Sequence, residues 1–165
     1  MARVNIVCGS TGAGKTTFAR ALAEELGAAR FSIDEWMGEL FWPDQQPGAD
    51  YRWAIERVER CERQIWSVSR DLLKIGCDVV LDLGFTESVQ RRRFIEWAQQ
   101  AGGDPVIHYL DVDAETRRRR VHERNRAKDG TYVFHVDDEM FDFMENLFEP
   151  PTAGEGATVL IVPAK

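Results

Sequence analysis

Val4-Asn5-Ile6-Val7-Cys8 runs directly into Gly9-Ser10-Thr11-Gly12-Ala13-Gly14-Lys15-Thr16-Thr17, and the reading of this junction decides the fold. The first five residues are a short apolar run, which predicts a strand buried on both faces of a parallel sheet. Gly9 to Thr16 fit the spacing G-x-x-x-x-G-K-[ST]. In such a turn the backbone N–H groups point inward at nucleotide phosphates, the lysine reaches the β- and γ-phosphates, and the hydroxyl binds Mg²⁺. Glycine is needed where the backbone must lie against the anion. Phe18, Leu22 and Leu26 then share one face of a helix that starts at Lys15 and stops at Gly27. Its partly positive N-terminus adds to the cradle. A glycine-rich structural turn is the competing reading, and the order strand, loop, helix speaks against it.

Further apolar runs at 29–33, 77–83, 106–110 and 158–162 predict four more strands. Between them, helical spacing appears in Ile55 to Ile75, in 88–101, in the Arg-rich stretch after Asp113, and in Val136 to Leu147. The segment 38–50, with Phe41, Trp42, Pro43 and Pro47, reads as a loop carrying large apolar groups. Five strands alternating with helices imply an α/β fold, a parallel sheet covered on both faces. Ligands in such sheets bind beyond the C-terminal ends of the strands, so chemistry is expected just after each strand.

Asp34 ends the second strand in this reading. It can approach the γ-phosphate and accept a proton from an attacking hydroxyl, or it can cap the helix beginning at Glu35. Asp82 ends the third strand, where a carboxylate beside the glycine loop assists Mg²⁺ with Thr16 as the direct ligand. A purely structural acid would be costly there if left unpaired. Thr17 is assigned to the α-phosphate. Asp111 and Asp113, after the fourth strand, read as turn and capping groups. Arg117, Arg120 and Arg124 share one helix face and can neutralise a phosphoryl group in transit, or can pair with the acidic stretch 137–149. Arg118 and Arg119 are assigned to solvent, and Arg91-Arg92-Arg93 to a solvated helix face. Of five tryptophans, Trp66 and Trp97 read as packing. Trp36, Trp42 and Trp53 flank the loop after Asp34, where packing competes with stacking on an acceptor.

Composition bounds these readings. The 165 residues suit one domain with a core of its own. A net charge of −7 and a pI near 5.0 argue against coating nucleic acid by charge alone. No run of about 18 apolar residues exists to span a membrane. The chain enters its first strand at once, with no expected signal peptide. Cys8, Cys61 and Cys77 sit in apolar patterns and read as reduced thiols, so a cytoplasmic location is expected.

With these residues in place, the chain resembles the small P-loop kinases of the ATP-binding "predicted kinase" group, similar to polynucleotide 5′-hydroxyl kinase domains, chloramphenicol phosphotransferase and zeta-toxin kinases. The resemblance rests on Gly9–Thr17, Ser32-Ile33-Asp34-Glu35-Trp36, Val80-Leu81-Asp82-Leu83-Gly84-Phe85, Tyr109-Leu110-Asp111-Val112, Arg120 with Arg124-Asn125, and Phe148-Glu149-Pro150-Pro151. It implies a P-loop three-layer sandwich with sheet order 2-3-1-4-5 and a small helical lid at about 117–130. It also implies Asp34 as the base on the acceptor hydroxyl, lid arginines at Arg120 and Arg124, and a nucleotide base near Pro150–Gly156. Met37 stands where polynucleotide kinases tend to place an arginine.

The function expected is Mg²⁺·ATP-dependent transfer of the γ-phosphate to a hydroxyl of a small molecule or nucleotide, with GTP also possible as donor. Gly9, Ser10, Thr11, Gly12, Ala13, Gly14, Lys15, Thr16 and Thr17 would hold the triphosphate. A polynucleotide 5′-hydroxyl kinase is the runner-up. A nucleotide switch or acceptor-free ATPase is the alternative of another class, disfavoured by the missing N-K-x-D motif and by the lack of a companion domain. Monomer and homodimer both stay open.

Overall fold

The computed structural model describes residues 1–128 and 135–163. Its central strand is β1 (Arg3–Cys8), because that run is apolar on both faces. Val4, Ile6 and Cys8 enter one core cluster, while Val7 enters another on the opposite side of the sheet. The other strands are β2 (Ala29–Ser32), β3 (Val79–Asp82), β4 (Asp104–Leu110) and β5 (Thr158–Val162). All pair in parallel in the order β2-β3-β1-β4-β5, the order the resemblance implies. Val4 is opposite Val79 on one side and Pro105 on the other. β4 starts two residues earlier than the apolar run, since Pro105 precedes the β4–β5 ladder, which opens at Val106. Asn5, buried mid-strand, donates Nδ2 to Val79 O (3.1 Å) and pairs Oδ1 with His108 Nε2 (3.0 Å), so its polarity is satisfied.

The helices are α1 (Lys15–Leu26), α2 (Ile33–Leu40), α3 (Tyr51–Lys74), α4 (Ser88–Gln100), α5 (Ala114–Ala127) and α6 (Asp138–Leu147). Phe18, Leu22 and Ala19 of α1 cover one face of the sheet. Cys61, Ile65 and Leu73 of α3, with Phe94, Ile95 and Ala98 of α4, cover the other. Among the described residues no helix is long and apolar enough to cross a membrane.

The bounds around α2 differ from expectation as well. β2 ends at Ser32, and Ile33 and Asp34 already belong to α2, which extends through Gly38 to Leu40. The segment 38–50 is therefore partly helical, with a further 3₁₀ turn at Trp42–Asp44. The cause is Ser32, whose hydroxyl accepts from Glu35 N–H (3.4 Å) and caps α2. The expected lid runs over α5, and its last two residues, 129 and 130, lie outside the described residues.

Candidate active site

Beyond the C-terminal ends of β1 and β3 lies a cavity of about 550 Å³. Of the residues expected to hold the triphosphate, Gly9, Ser10, Thr11, Gly12, Gly14, Lys15, Thr16 and Thr17 line it. Ala13 turns its methyl group into the core instead, leaving only its backbone for a ligand. Two glycines are required by space and dihedral angle. Gly14 (φ 94°) is the residue from which α1 starts. Gly12 (φ 81°) passes so near α5 that a Cβ would lie 2.6 Å from Arg117 O. Lys15 Nζ donates to Gly9 O (2.8 Å) and Ser10 O (3.2 Å), which ties the ammonium to the loop that it serves. Burial pushes Lys15 below the usual lysine range, against the opposing pull of Asp82 and Asp34.

Both predicted acids line the same cavity. Because Ser32 caps α2, Asp34 has no capping duty, which corrects the competing reading of that residue. Burial raises its pKa, while Lys15 and Arg124 oppose the shift. Asp82 is likewise raised by burial, opposed by a hydrogen bond from the Thr16 hydroxyl and by Lys15. Its Oδ2 is buried without a hydrogen bond among the described residues and faces Arg30 Nη1 at 3.8 Å. An unsatisfied carboxylate oxygen beside a threonine hydroxyl suits Mg²⁺, which takes one or two protein oxygens and completes its shell with phosphate and water. No group of three or more acidic, His or Cys side chains suited to a metal occurs among the described residues.

The arginines of α5 divide between two faces. Arg120 and Arg124 line the cavity, with Arg120 Nη1 3.4 Å from Ala13 O. Arg117, grouped with them from spacing, is buried and braces the loop. Its Nε donates to Val112 O (2.7 Å), its Nη1 to Thr11 O (3.3 Å), and both Nη atoms to Glu145 (2.6 and 2.7 Å). Glu145 also accepts from Ser10 Oγ (2.6 Å), so one carboxylate of α6 joins the glycine loop to α5. Arg118 faces solvent as expected, and there it also makes exposed ion pairs. It pairs with Asp138 (2.6 Å) and Asp142 (2.5 Å). The acidic stretch therefore takes Arg117 and Arg118 and leaves Arg120 and Arg124 on the cavity side.

Arg91 is the larger correction. It is 0% exposed, pairs in a fork with Glu155 (2.8 and 2.7 Å), and donates to Phe85 O (3.0 Å). It thereby holds the turn after β3, where Gly84 (φ 88°) and Phe85 (φ 48°) are both left-handed. A signal for it existed. Arg91, Phe94, Ile95 and Ala98 fall on one helical face, and the run of three arginines obscured it. Glu155 commits the 150–156 loop to α4, with Gln99 Nε2 donating to Gly156 O (2.9 Å). That loop does not line the cavity. Met37 is 2% exposed and sits in the core, so its identity says nothing about an acceptor. Trp36 and Trp42 also pack on the core, and Trp42 lies against Trp53 at 5.8 Å. The cavity residues that sequence reading did not assign to the site include Tyr51, Thr86, Phe143 and Leu147.

The family description "AAA domain" matches residues 4–151. The chain belongs to this family of P-loop proteins. Solved structures share its kinase-like P-loop fold. A candidate kinase of Chloroflexus aurantiacus is 17% identical, covers 98% of this chain and 85% of its own, and superposes with a TM-score of 0.77. Chaetomium thermophilum Kti12, solved with ADP-AlF3, is 16% identical over 97% of this chain and 88% of its own, with a TM-score of 0.70. Mycobacterium tuberculosis APS kinase CysC, solved with AMPPNP and APS, is 17% identical over 97% and 88%, with a TM-score of 0.61. At these identities the likeness is one of fold. No curated protein matches the chain by sequence.

Proposed function

We propose that the protein is an ATP-dependent phosphotransferase that moves the γ-phosphate to a hydroxyl of a small molecule or nucleotide. The observation that carries this reading is Asp34, a carboxyl without a capping duty, in one cavity with Lys15, Thr16 and Asp82, its pKa raised by burial. A base works best when its pKa lies near the working pH, so an upward shift from the ordinary carboxylate value favours that role. ATP-type ligands in Kti12 and CysC support the donor.

In this mechanism Lys15 and the loop amides hold the β- and γ-phosphates. Asp34 orients the acceptor hydroxyl and takes its proton. Arg120 and Arg124 offset charge on the equatorial oxygens of the moving phosphoryl group. Thr16 and Asp82 would hold Mg²⁺, which when bound would supply positive charge to the triphosphate. A polynucleotide 5′ end is the less favoured acceptor, since a chain of net charge −7 attracts a polyanion poorly. The free, mostly buried thiols of Cys8, Cys61 and Cys77 fit a cytoplasmic protein. The test is a screen of hydroxyl compounds with γ-labelled ATP. Transfer that disappears in Asp34→Asn supports the reading. ATP hydrolysis that ignores every acceptor and survives Asp34→Asn overturns it.

A further inference from the structure

The cavity wall formed by α6 is apolar, and it adjoins the glycine loop where Thr11 Oγ1 meets Met144 Sδ (3.4 Å). Phe143, Met144, Leu147 and Phe148 line it. The end of α6 is fastened to the turn after β3: Glu149 N–H donates to Thr86 O (2.9 Å), and Ser88 N–H donates to Glu149 Oε2 (2.7 Å). Phe148 stacks on Tyr109 of β4 with ring centroids 6.0 Å apart. This seats the apolar wall against the same turn whose Gly84 and Thr86 line the cavity near Asp82.

At the mouth, Tyr51 is 78% exposed, Phe143 63% and Leu147 42%. Single exposed apolar side chains are ordinary, but three around one concave site form a patch of the kind that ligands cover. The charges point the same way. Among the described lining residues the cations are Lys15, Arg120 and Arg124, all on the glycine loop side or α5 and all engaged by the triphosphate in the proposed mechanism. Outside the glycine loop and α5, the polar lining is the hydroxyls of Tyr51 and Thr86 and the carboxyls of Asp34 and Asp82. An acceptor carrying its own carboxylate, phosphate or sulfate would be desolvated beside two acids, and Arg30, the cation 3.8 Å from Asp82, is already committed to Glu35 (2.6 Å). A polyhydroxylated sugar would leave most of its hydroxyls against hydrocarbon.

We infer that the acceptor is a neutral alcohol with an apolar or aromatic body, which rests on Phe143, Leu147, Phe148 and Tyr51 and presents its hydroxyl to Asp34. This inference rests on the kinase reading above. The acceptor oxygen forms a bond to the γ-phosphorus while the bond from that phosphorus to the bridging oxygen breaks. The electron pair leaves on ADP, the hydroxyl proton passes to the Asp34 carboxylate, and the products are a phosphate monoester and ADP.

The experiment uses γ-labelled ATP with 2-phenylethanol, 2-naphthaleneethanol, glycerol, glucose, gluconate and a 5′-hydroxyl oligothymidylate. The arylalkyl alcohols are expected to be phosphorylated with kcat/KM at least tenfold above glycerol and the sugars. Phe143→Ala and Leu147→Ala, on exposed positions that the fold tolerates, should each reduce the arylalkyl-to-glycerol ratio by about 10- to 100-fold, mostly through KM. Leu147→Met should restore most of it. Preference for glucose, gluconate or the oligonucleotide overturns the inference and leaves the kinase reading standing. So does transfer to arylalkyl alcohols that ignores both alanine variants. No transfer to any alcohol from a protein that binds ATP overturns the inference too, whereas failure to bind ATP at all removes the kinase reading itself.

Discussion

Replacing Arg91 by Met keeps the length of the side chain and removes its charge, which isolates the buried ion pair with Glu155. Both side chains are fully enclosed, at 0% and 1% exposure. The fork is well formed, and Nη1 also satisfies Phe85 O. Removing one partner leaves an uncompensated carboxylate and a bare carbonyl in the core, which costs about 3–5 kcal/mol. For a chain of this size each kcal/mol moves Tm by about 2–4 °C, so Tm should fall by roughly 6–20 °C. Urea unfolding followed by circular dichroism gives the same quantity as a lower midpoint at constant slope. Arg91→Met with Glu155→Leu removes both charges and should recover much of the loss, because the main penalty is the orphaned carboxylate. A single variant that loses less than about 1 kcal/mol, or a double variant no better than the single, refutes the argument.

Asp34→Asn should lower turnover by about 10²–10⁴ with ATP affinity little changed, as measured by steady-state kinetics and calorimetry. The same substitution should raise Tm at neutral pH. Folded Asp34 holds its proton more tightly than the unfolded chain does, so ionising it loses stability as pH rises through the folded pKa, and Asn removes that loss. In the wild type, turnover should fall as pH drops through that raised value. Gly12→Ala would force the loop away from Arg117 O and hold alanine at φ 81°, so ATP binding should weaken about tenfold or more by calorimetry. Glu145→Gln should cost about 1 kcal/mol at pH 7, discounted because Glu145 is 38% exposed. Hydrogen bonds from Arg117 lower its pKa, so the wild type's advantage should vanish as pH falls from 4.5 through the lowered folded value, read as converging urea midpoints.

Much of the molecule was legible in order along the chain. The junction from Val4 to Thr17 declares strand, loop and helix through apolar runs, glycine spacing and a helical stripe. All three are local patterns with fixed periods. β5 appears at the bounds its apolar run predicts. Asp82 could be assigned because its strand ends where the run of Val79-Val80-Leu81 ends. Asp34 lies at the cavity, as its place after the second strand suggested, but its helical setting was not legible. Ser32 caps α2, and so competes with Asp34 for a role that either residue type can fill.

The charged side chains divide differently. Sequence alone determined that Arg91 and Arg117 lie on helices, and that 137–149 is acidic. It could not say which arginine is buried, because the partners lie 64 and 28 residues away. Tertiary structure decided that Glu155 reaches α4 and that Glu145 reaches the glycine loop. It also decided that α6 brings an apolar wall to the cavity while Trp36 and Trp42 pack on the core. The physical reason is that periodicity records which face of an element is buried, whereas the neighbour of a charge depends on how the layers stack, and a charge survives burial only where that neighbour is supplied.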